Sequence, residues 1–172
     1  MEIHLVRHTQ VDVPPGMCYG QADIDLAATR QKEFENIRIA NDYDLIISSP
    51  LKRCTQLAEH FGLPFRTDKR LMEMNFGDWE LQMWNEIASK ELQPWFDNYY
   101  DVATPNGESF WDVHQRVSAF LLEITTQYPS HKILLVTHLG VIRMMHLLKH
   151  NAPISTYFDL KITYGEMIKI SF

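Results

Sequence analysis

Three short polar clusters carry most of the chemistry that residue type and spacing can suggest: Arg7-His8-Thr9, then Ser48-Ser49-Pro50-Leu51-Lys52-Arg53, then Thr137-His138-Leu139-Gly140. Each sits at the carboxyl end of a β-rich run, at residues 2–6, 45–48 and 132–137. In an open α/β sheet that edge is where ligands bind, so the clusters are expected to converge on one guest. Arg7 ends a strand that should be buried, and a buried guanidinium needs a charged or hydrogen-bonding partner. Ser49 is expected to cap a helix with Pro50 as its first residue, which puts Arg53 in the first turn. A cation there opposes the positive end of the helix dipole, and an anion held by Arg53 and free backbone N–H groups relieves the conflict. Two arginines at one edge can clamp the non-bridging oxygens of a phosphate and stabilise charge in its transition state. His8 and His138 would flank the same anion. Taken singly, an arginine would pair with a surface carboxylate and a strand-end histidine would be structural; the four together favour an anion site.

A neutral imidazole is a competent nucleophile, and the reference histidine pKa of ~6.5 leaves much of it neutral at physiological pH. Attack on phosphorus by His8 would give an N-phosphoryl intermediate and split ester hydrolysis into two easier displacements. The departing alkoxide then needs a proton. Glu73, in Leu71-Met72-Glu73-Met74-Asn75-Phe76-Gly77-Asp78-Trp79-Glu80, is the candidate donor, with Asp78 and Glu80 as rivals.

The elements that must position these groups follow from periodicity. Alternation of β-rich runs with helical signals, each within a few residues of the last, suggests parallel strands with crossover helices. The run Ile133-Leu134-Leu135-Val136 is continuously apolar, as a central strand covered on both faces would be. From residue 109 to 128, Phe110, Val113, Val117, Phe120, Leu121 and Ile124 recur at helical spacing until Pro129 stops the helix. Residues 156–162 and 166–172 flank Tyr164-Gly165 and suggest two further strands joined by a turn, one antiparallel at the edge. Residues 72–106 lose the pattern; Trp79, Trp84, Trp95, Tyr99 and Tyr100 are mixed there with polar residues, as in an insertion or lid with its own small core.

The 172 residues, 45% of them hydrophobic, suffice for one substantial core and suggest one domain. The amino terminus has no basic and apolar leader and no apolar run reaches spanning length, so a soluble cytoplasmic protein without a membrane partner is expected. Sixteen Lys and Arg against 22 Asp and Glu give a formal charge of −6, which disfavours nucleic acid as a partner and leaves anion capture to a local pocket. Cys18 and Cys54 read as free thiols.

With these residues in place, the sequence resembles the histidine phosphatase superfamily, the phosphoglycerate-mutase-like proteins. The resemblance rests on LVRHT, a Ser-Ser-Pro-x-x-Arg pattern, ExxFGxWE and VTHLGVIR, which occur in the family's order over nearly the whole chain. It implies a three-layer α/β/α sandwich with a mainly parallel sheet, a small phosphate ester as substrate, and no metal or cofactor. It further implies His8 as nucleophile, Arg7, Arg53 and His138 as phosphate ligands, and Glu73 as acid. Two positions depart from it. Thr9 replaces the usual Gly and Pro14 the usual phosphate-binding Asn, whose contact is either lost or supplied by another residue, Gln21 of the CYGQAD segment being the candidate. Within the superfamily, VDVPPGMCYGQADIDL, FGDWELQMWNEI and PNGESFWDVHQRV look most like the α-ribazole phosphatase subfamily of cobalamin biosynthesis. That subfamily removes a 5′-phosphate from a substrate with a flat aromatic base, against which Trp79, Trp84 or the Tyr99-Tyr100 pair could stack.

The competing readings are a broad-specificity histidine phosphatase, a phosphoglycerate mutase, a metallohydrolase and a noncatalytic phosphate-binding module. Mutases of this type carry a longer tail over the site, and the run ending at Phe172 is expected to leave none. A metal site lacks an HExxH or HxH pair and would set Arg7 and Arg53 beside the cation. The remaining histidines, at positions 4, 60, 114, 131, 146 and 150, share no motif.

Overall fold

The computed structural model describes residues 1–171. Its centre is a five-stranded sheet of order β3-β2-β4-β1-β5, built from β1 (Glu2–Arg7), β2 (Leu45–Ser48), β3 (Arg66–Thr67), β4 (Lys132–Thr137) and β5 (Met167–Ser171). β1 and β2 flank β4 in parallel, β3 extends β2 in parallel, and β5 runs antiparallel on β1. Ile133 to Val136 are fully buried because β4 is covered on both faces. Alternation along the strands divides the core. Ile3, Leu5, Ile133 and Leu135 pack beneath α4 (Phe110–Gln127) and α5 (Leu139–His150). Val6, Leu134 and Val136 pack beneath α1 (Arg30–Asn36) and α2 (Lys52–His60). The result is the expected α/β/α layering with a mainly parallel sheet.

α4 buries the six apolar residues that its spacing picks out. Ser109 opens it through a reciprocal capping box with Asp112, and it ends one residue before Tyr128-Pro129. α5 starts directly after β4, so His138 is at once the strand's exit and the helix's N-cap. Asn151, at φ 48°, closes that helix in the left-handed conformation.

Four features differ from the sequence expectation. Twenty-two residues separate β1 from α1, where a helix was expected within a few; this loop is tied by the bridges Val11–Leu26 and Met17–Met83. α2 begins at Lys52 with Leu51 as N-cap, because Ser49 is still held at the sheet, its N–H donating to Val136 O at 2.9 Å. Arg53 nonetheless stays in the first turn. Residues 156–162 form no strand: after a 3₁₀ turn at Ile154–Thr156, the carbonyls of Leu160 and Ile162 accept from Arg143 and Arg7 instead of from a neighbouring strand. One edge strand, β5, therefore replaces two, and Phe172 at the end of the expected run lies outside the described residues. The 72–106 segment holds a 3₁₀ turn at Gly77–Trp79 and α3 (Ser89–Asp97). Its aromatic residues, the exposed Phe96 apart, join the core under α4 and α5, and among the described residues they form no separate cluster.

Candidate active site

The parallel sheet brings the three polar clusters together. His8 N–H donates to Thr137 O at 3.0 Å, which locks the exit of β1 against that of β4, as Ser49 locks that of β2. His8 is 2% exposed and Arg53 and His138 are fully buried. The two imidazoles meet edge to face with centroids 5.1 Å apart.

Partner chemistry fixes both tautomers. His8 Nδ1 lies 2.7 Å from Thr9 O, and a carbonyl only accepts, so the proton is on Nδ1 and Nε2 carries the lone pair. Arg53 Nε lies 3.3 Å from His138 Nδ1, and a guanidinium only donates. His138 therefore carries its proton on Nε2, from which Ser49 Oγ, 2.8 Å away, accepts. Burial, reinforced by Arg53 and Arg7, holds the pKa of His8 well below the ordinary histidine value. Burial, then Arg53 and His8, do the same for His138. Cys54, 3.4 Å from His138 Nε2, is pushed by burial up to about 12 and stays a thiol.

The arginines are held at their edges with donors to spare. Arg53 donates to the carbonyls of Gly20 and Ala22 and to His138, which accounts for three of its five N–H groups. Arg7 donates to Ile162 O at 2.7 Å and lies 3.9 Å over the Tyr164 ring. Its Nε is buried without a protein acceptor among the described residues, a donor that an anionic oxygen would satisfy. Thr9 is buried outside the left-handed region, so its β-branch is tolerated without backbone strain.

Arg7, His8 and Glu73 share the wall of one cavity of about 340 Å³. Glu73 Oε1 accepts from Met74 N–H at 3.0 Å and Oε2 from Gly140 N–H at 3.1 Å. Gly140 is required there, since a Cβ on it would lie 2.0 Å from Glu73 Oε1. The rival carboxylates are engaged elsewhere: Glu80 accepts from the backbone N–H groups of Gln21, Ala22 and Phe76, and Asp78 accepts from Asn106. Gln21 donates its side-chain amide to Glu73 O at 3.0 Å and does not line the cavity. Of the tryptophans, Trp84 lines it, whereas Trp79 is 2% exposed and sits behind the wall, edge-on to Trp84 and Trp95. Tyr99 packs against Phe110 within the core, and Tyr100 faces a separate hollow beside His114.

Arg116 and Glu108 hold the backbone around Glu73 and were given no role in the sequence reading. Arg116 Nε pairs with Glu108 at 2.8 Å, while its terminal nitrogens donate to Arg70 O, Met72 O and Glu73 O. Glu108 in turn accepts from Asn75 N–H. The signal was present in PNGESFWDVHQRV, which contains both residues. Tyr19 was also passed over; its hydroxyl meets that of Tyr164 at 2.7 Å beside Arg7. Among the described residues no three His, Cys, Asp or Glu side chains gather as a metal-binding group, and no helix is long and apolar enough to cross a membrane.

Paired histidines and arginines at the carboxyl edge of this five-stranded, mostly parallel sheet define an α/β protein of the phosphoglycerate-mutase-like phosphatase class. The chain belongs to the histidine phosphatase superfamily (branch 1), whose family model matches residues 3–172. It is 25% identical to the adenosylcobalamin/alpha-ribazole phosphatase of Escherichia coli (strain K12), over 96% of this chain and 87% of that protein. It is 31% identical to the uncharacterized phosphatase PhoE of Bacillus subtilis (strain 168), over 78% of this chain and 69% of that protein. The crystal structure of the alpha-ribazole phosphatase from Shigella flexneri has the same fold, with a TM-score of 0.90, 24% identity, and coverage of 99% of this chain and 90% of that one.

Two outcomes follow from this geometry. Below the unfolded histidine pKa of ~6.5 the unfolded chain binds protons that folded His8 refuses, so stability must fall as pH drops from there. Urea unfolding at pH 7 and pH 5 should show a steeper loss for the wild type than for His8→Gln; equal losses would mean that His8 titrates normally in the folded protein. Gly140→Ala should lower kcat by about 100-fold or more through displacement of Glu73, in keeping with the cost of misplacing a catalytic group by about 1 Å. Its circular dichroism should remain native, and unchanged turnover would free Glu73 from this seat.

Proposed function

We propose that the chain is a phosphomonoester hydrolase that works through a phosphohistidine at His8 and removes the 5′-phosphate of α-ribazole phosphate or the corresponding cobalamin phosphate. The observation that carries the reading is the tautomer of His8. With its proton committed to Thr9 O and its charge suppressed by burial and two arginines, the ring has its Nε2 lone pair free for phosphorus.

In this mechanism Arg7 and Arg53 hold the non-bridging phosphate oxygens, and His138 becomes a third ligand when its Nε2–H exchanges Ser49 Oγ for the anion. The arginines supply the positive charge that stabilises the transferring group. Nε2 of His8 forms the N–P bond as the ester P–O bond breaks, and the departing alkoxide takes a proton from Glu73. The phosphorylated ring gains positive character, which the Nδ1–H bond to Thr9 O stabilises. Water then attacks phosphorus, Glu73 takes its proton back, and the N–P bond breaks to free inorganic phosphate and His8. Microscopic reversibility makes one carboxyl both acid and base. No metal or cofactor is needed in this scheme.

For the leaving group, support comes from the aromatic walls of the cavity beside His8 and Glu73, formed by Phe76, Trp84, Trp95, Phe110, Tyr157 and Phe158. A flat apolar ring would stack well there. The likeness to relatives named adenosylcobalamin/alpha-ribazole phosphatase supports the same substrate class.

Phosphate release should be measured in excess EDTA from α-ribazole 5′-phosphate, 3-phosphoglycerate, a sugar phosphate, a mononucleotide and an activated aryl phosphate. A clear preference for the first is expected. Glu73→Gln should lose far more activity on that alkyl ester than on the aryl one, whose leaving group needs no proton. Uniform slow release would discard the substrate, tight binding without turnover would make the chain a phosphate-binding module, and activity restored by metal alone would overturn the mechanism.

A further inference from the structure

Within the aromatic cavity stands one cation that the scheme above leaves unused. Arg143 lies one turn after Gly140 on α5, on the same helix face, and lines the cavity with His8 and Glu73. Its Nε donates to Leu160 O at 2.9 Å, and its guanidinium carbon is 5.6 Å from the Tyr157 ring centre and 5.5 Å from that of Phe158. These contacts fix the side chain's direction. Among the described residues no carboxylate forms an ion pair with it and neither terminal nitrogen has a protein acceptor. Arg7 and Arg53 have places in the phosphate clamp; Arg143 stands on α5, which follows the second histidine, in the wall that also holds Glu73. A half-buried guanidinium held by one carbonyl and two aromatic rings presents a planar fork of free donors, and such a fork in an apolar wall selects for an acceptor.

We propose that Arg143 is a specificity residue, favouring phosphate esters whose leaving group carries a hydrogen-bond acceptor, an anion most strongly, beside an apolar ring. The proposal rests on the reading that this cavity takes the leaving group. It deepens that reading by adding a polar requirement to a pocket that is otherwise aromatic. Charged hydrogen bonds in such a setting discriminate by about tenfold or more.

The test compares kcat/KM for 1-naphthyl phosphate with that for a naphthyl phosphate bearing a ring carboxylate, in wild type, Arg143→Lys and Arg143→Met. Wild type should prefer the carboxylate ester by about tenfold or more, Arg143→Lys should keep part of that preference, and Arg143→Met should abolish it. A residue that merely braces residues 157–162 through Leu160 would lower both rates together and leave their ratio untouched. A ratio of one in the wild type, or a ratio unchanged in Arg143→Met, would overturn the proposal. The underlying reading fails separately: if wild type releases phosphate from small unhindered esters but from neither naphthyl ester, the cavity does not take the leaving group and both inferences fall.

Discussion

The site depends on keeping an imidazole neutral between two guanidinium groups. In water that would be simple, but the role proposed for His8, attack on a phosphate dianion, needs cations within reach, and here the sheet edge supplies them inside the protein. The Nδ1–H bond from His8 to Thr9 O resolves the conflict by committing the ring's single proton to the backbone, away from phosphorus. Burial then removes the alternative, because a third positive charge beside Arg7 and Arg53 would be uncompensated. The cost of burying the arginines is met by carbonyls from loops: Gly20 and Ala22 for Arg53, Ile162 for Arg7. The long loop after β1 and the strandless run before β5 are thus parts of the site, since regular structure would have consumed those carbonyls.

A second assembly, joined to the sheet where Thr137 Oγ1 donates to Leu71 O at 2.7 Å, places the carboxyl. Glu73 stands on a stretch with little regular structure, whose carbonyls at positions 70, 72 and 73 are gathered by Arg116 from α4. Glu108 neutralises Arg116, and Glu80 ties the following turn to the loop that holds Arg53. Side-chain to backbone bonds do for this stretch what a ladder does for a strand. Gly140 completes the seat by leaving room for the carboxyl at the start of α5. The proposed nucleophile is therefore positioned by the sheet, and the proposed acid chiefly by a network of charged side chains bonded to backbone.

Much of this was legible in sequence for a physical reason: period-two and period-3.6 patterns report burial, and burial decided β1, β2, β4 and α4. The same logic exposed Arg7, His8, Arg53 and His138, because polar residues at the ends of buried strands stand out against an apolar background. What was missed lacks such a background. Residues 156–162 alternate like a strand, yet Tyr157 and Phe158 pack on Phe110 and the backbone serves arginines. Ser49 and Pro50 form a good local start signal, but β2's exit bond to β4 delays the helix until Lys52. Among tryptophans, composition cannot tell a wall from what lies behind it: Trp84 reaches the cavity and Trp79 does not. Arg116 and Arg143 sit on amphipathic helices where an arginine normally reads as solvated surface, and only their tertiary partners separate them from that role.

In the proposed mechanism phosphorus passes through His8. Rapid mixing with excess substrate, an alkaline quench that preserves phosphoramidates, and peptide mass mapping test it directly. A transient phosphate is expected on the peptide that contains His8, formed no more slowly than steady-state turnover and absent from His8→Ala. Turnover at the full rate with no phosphorylated peptide at any time, or the same adduct on another residue in His8→Ala, would contradict it.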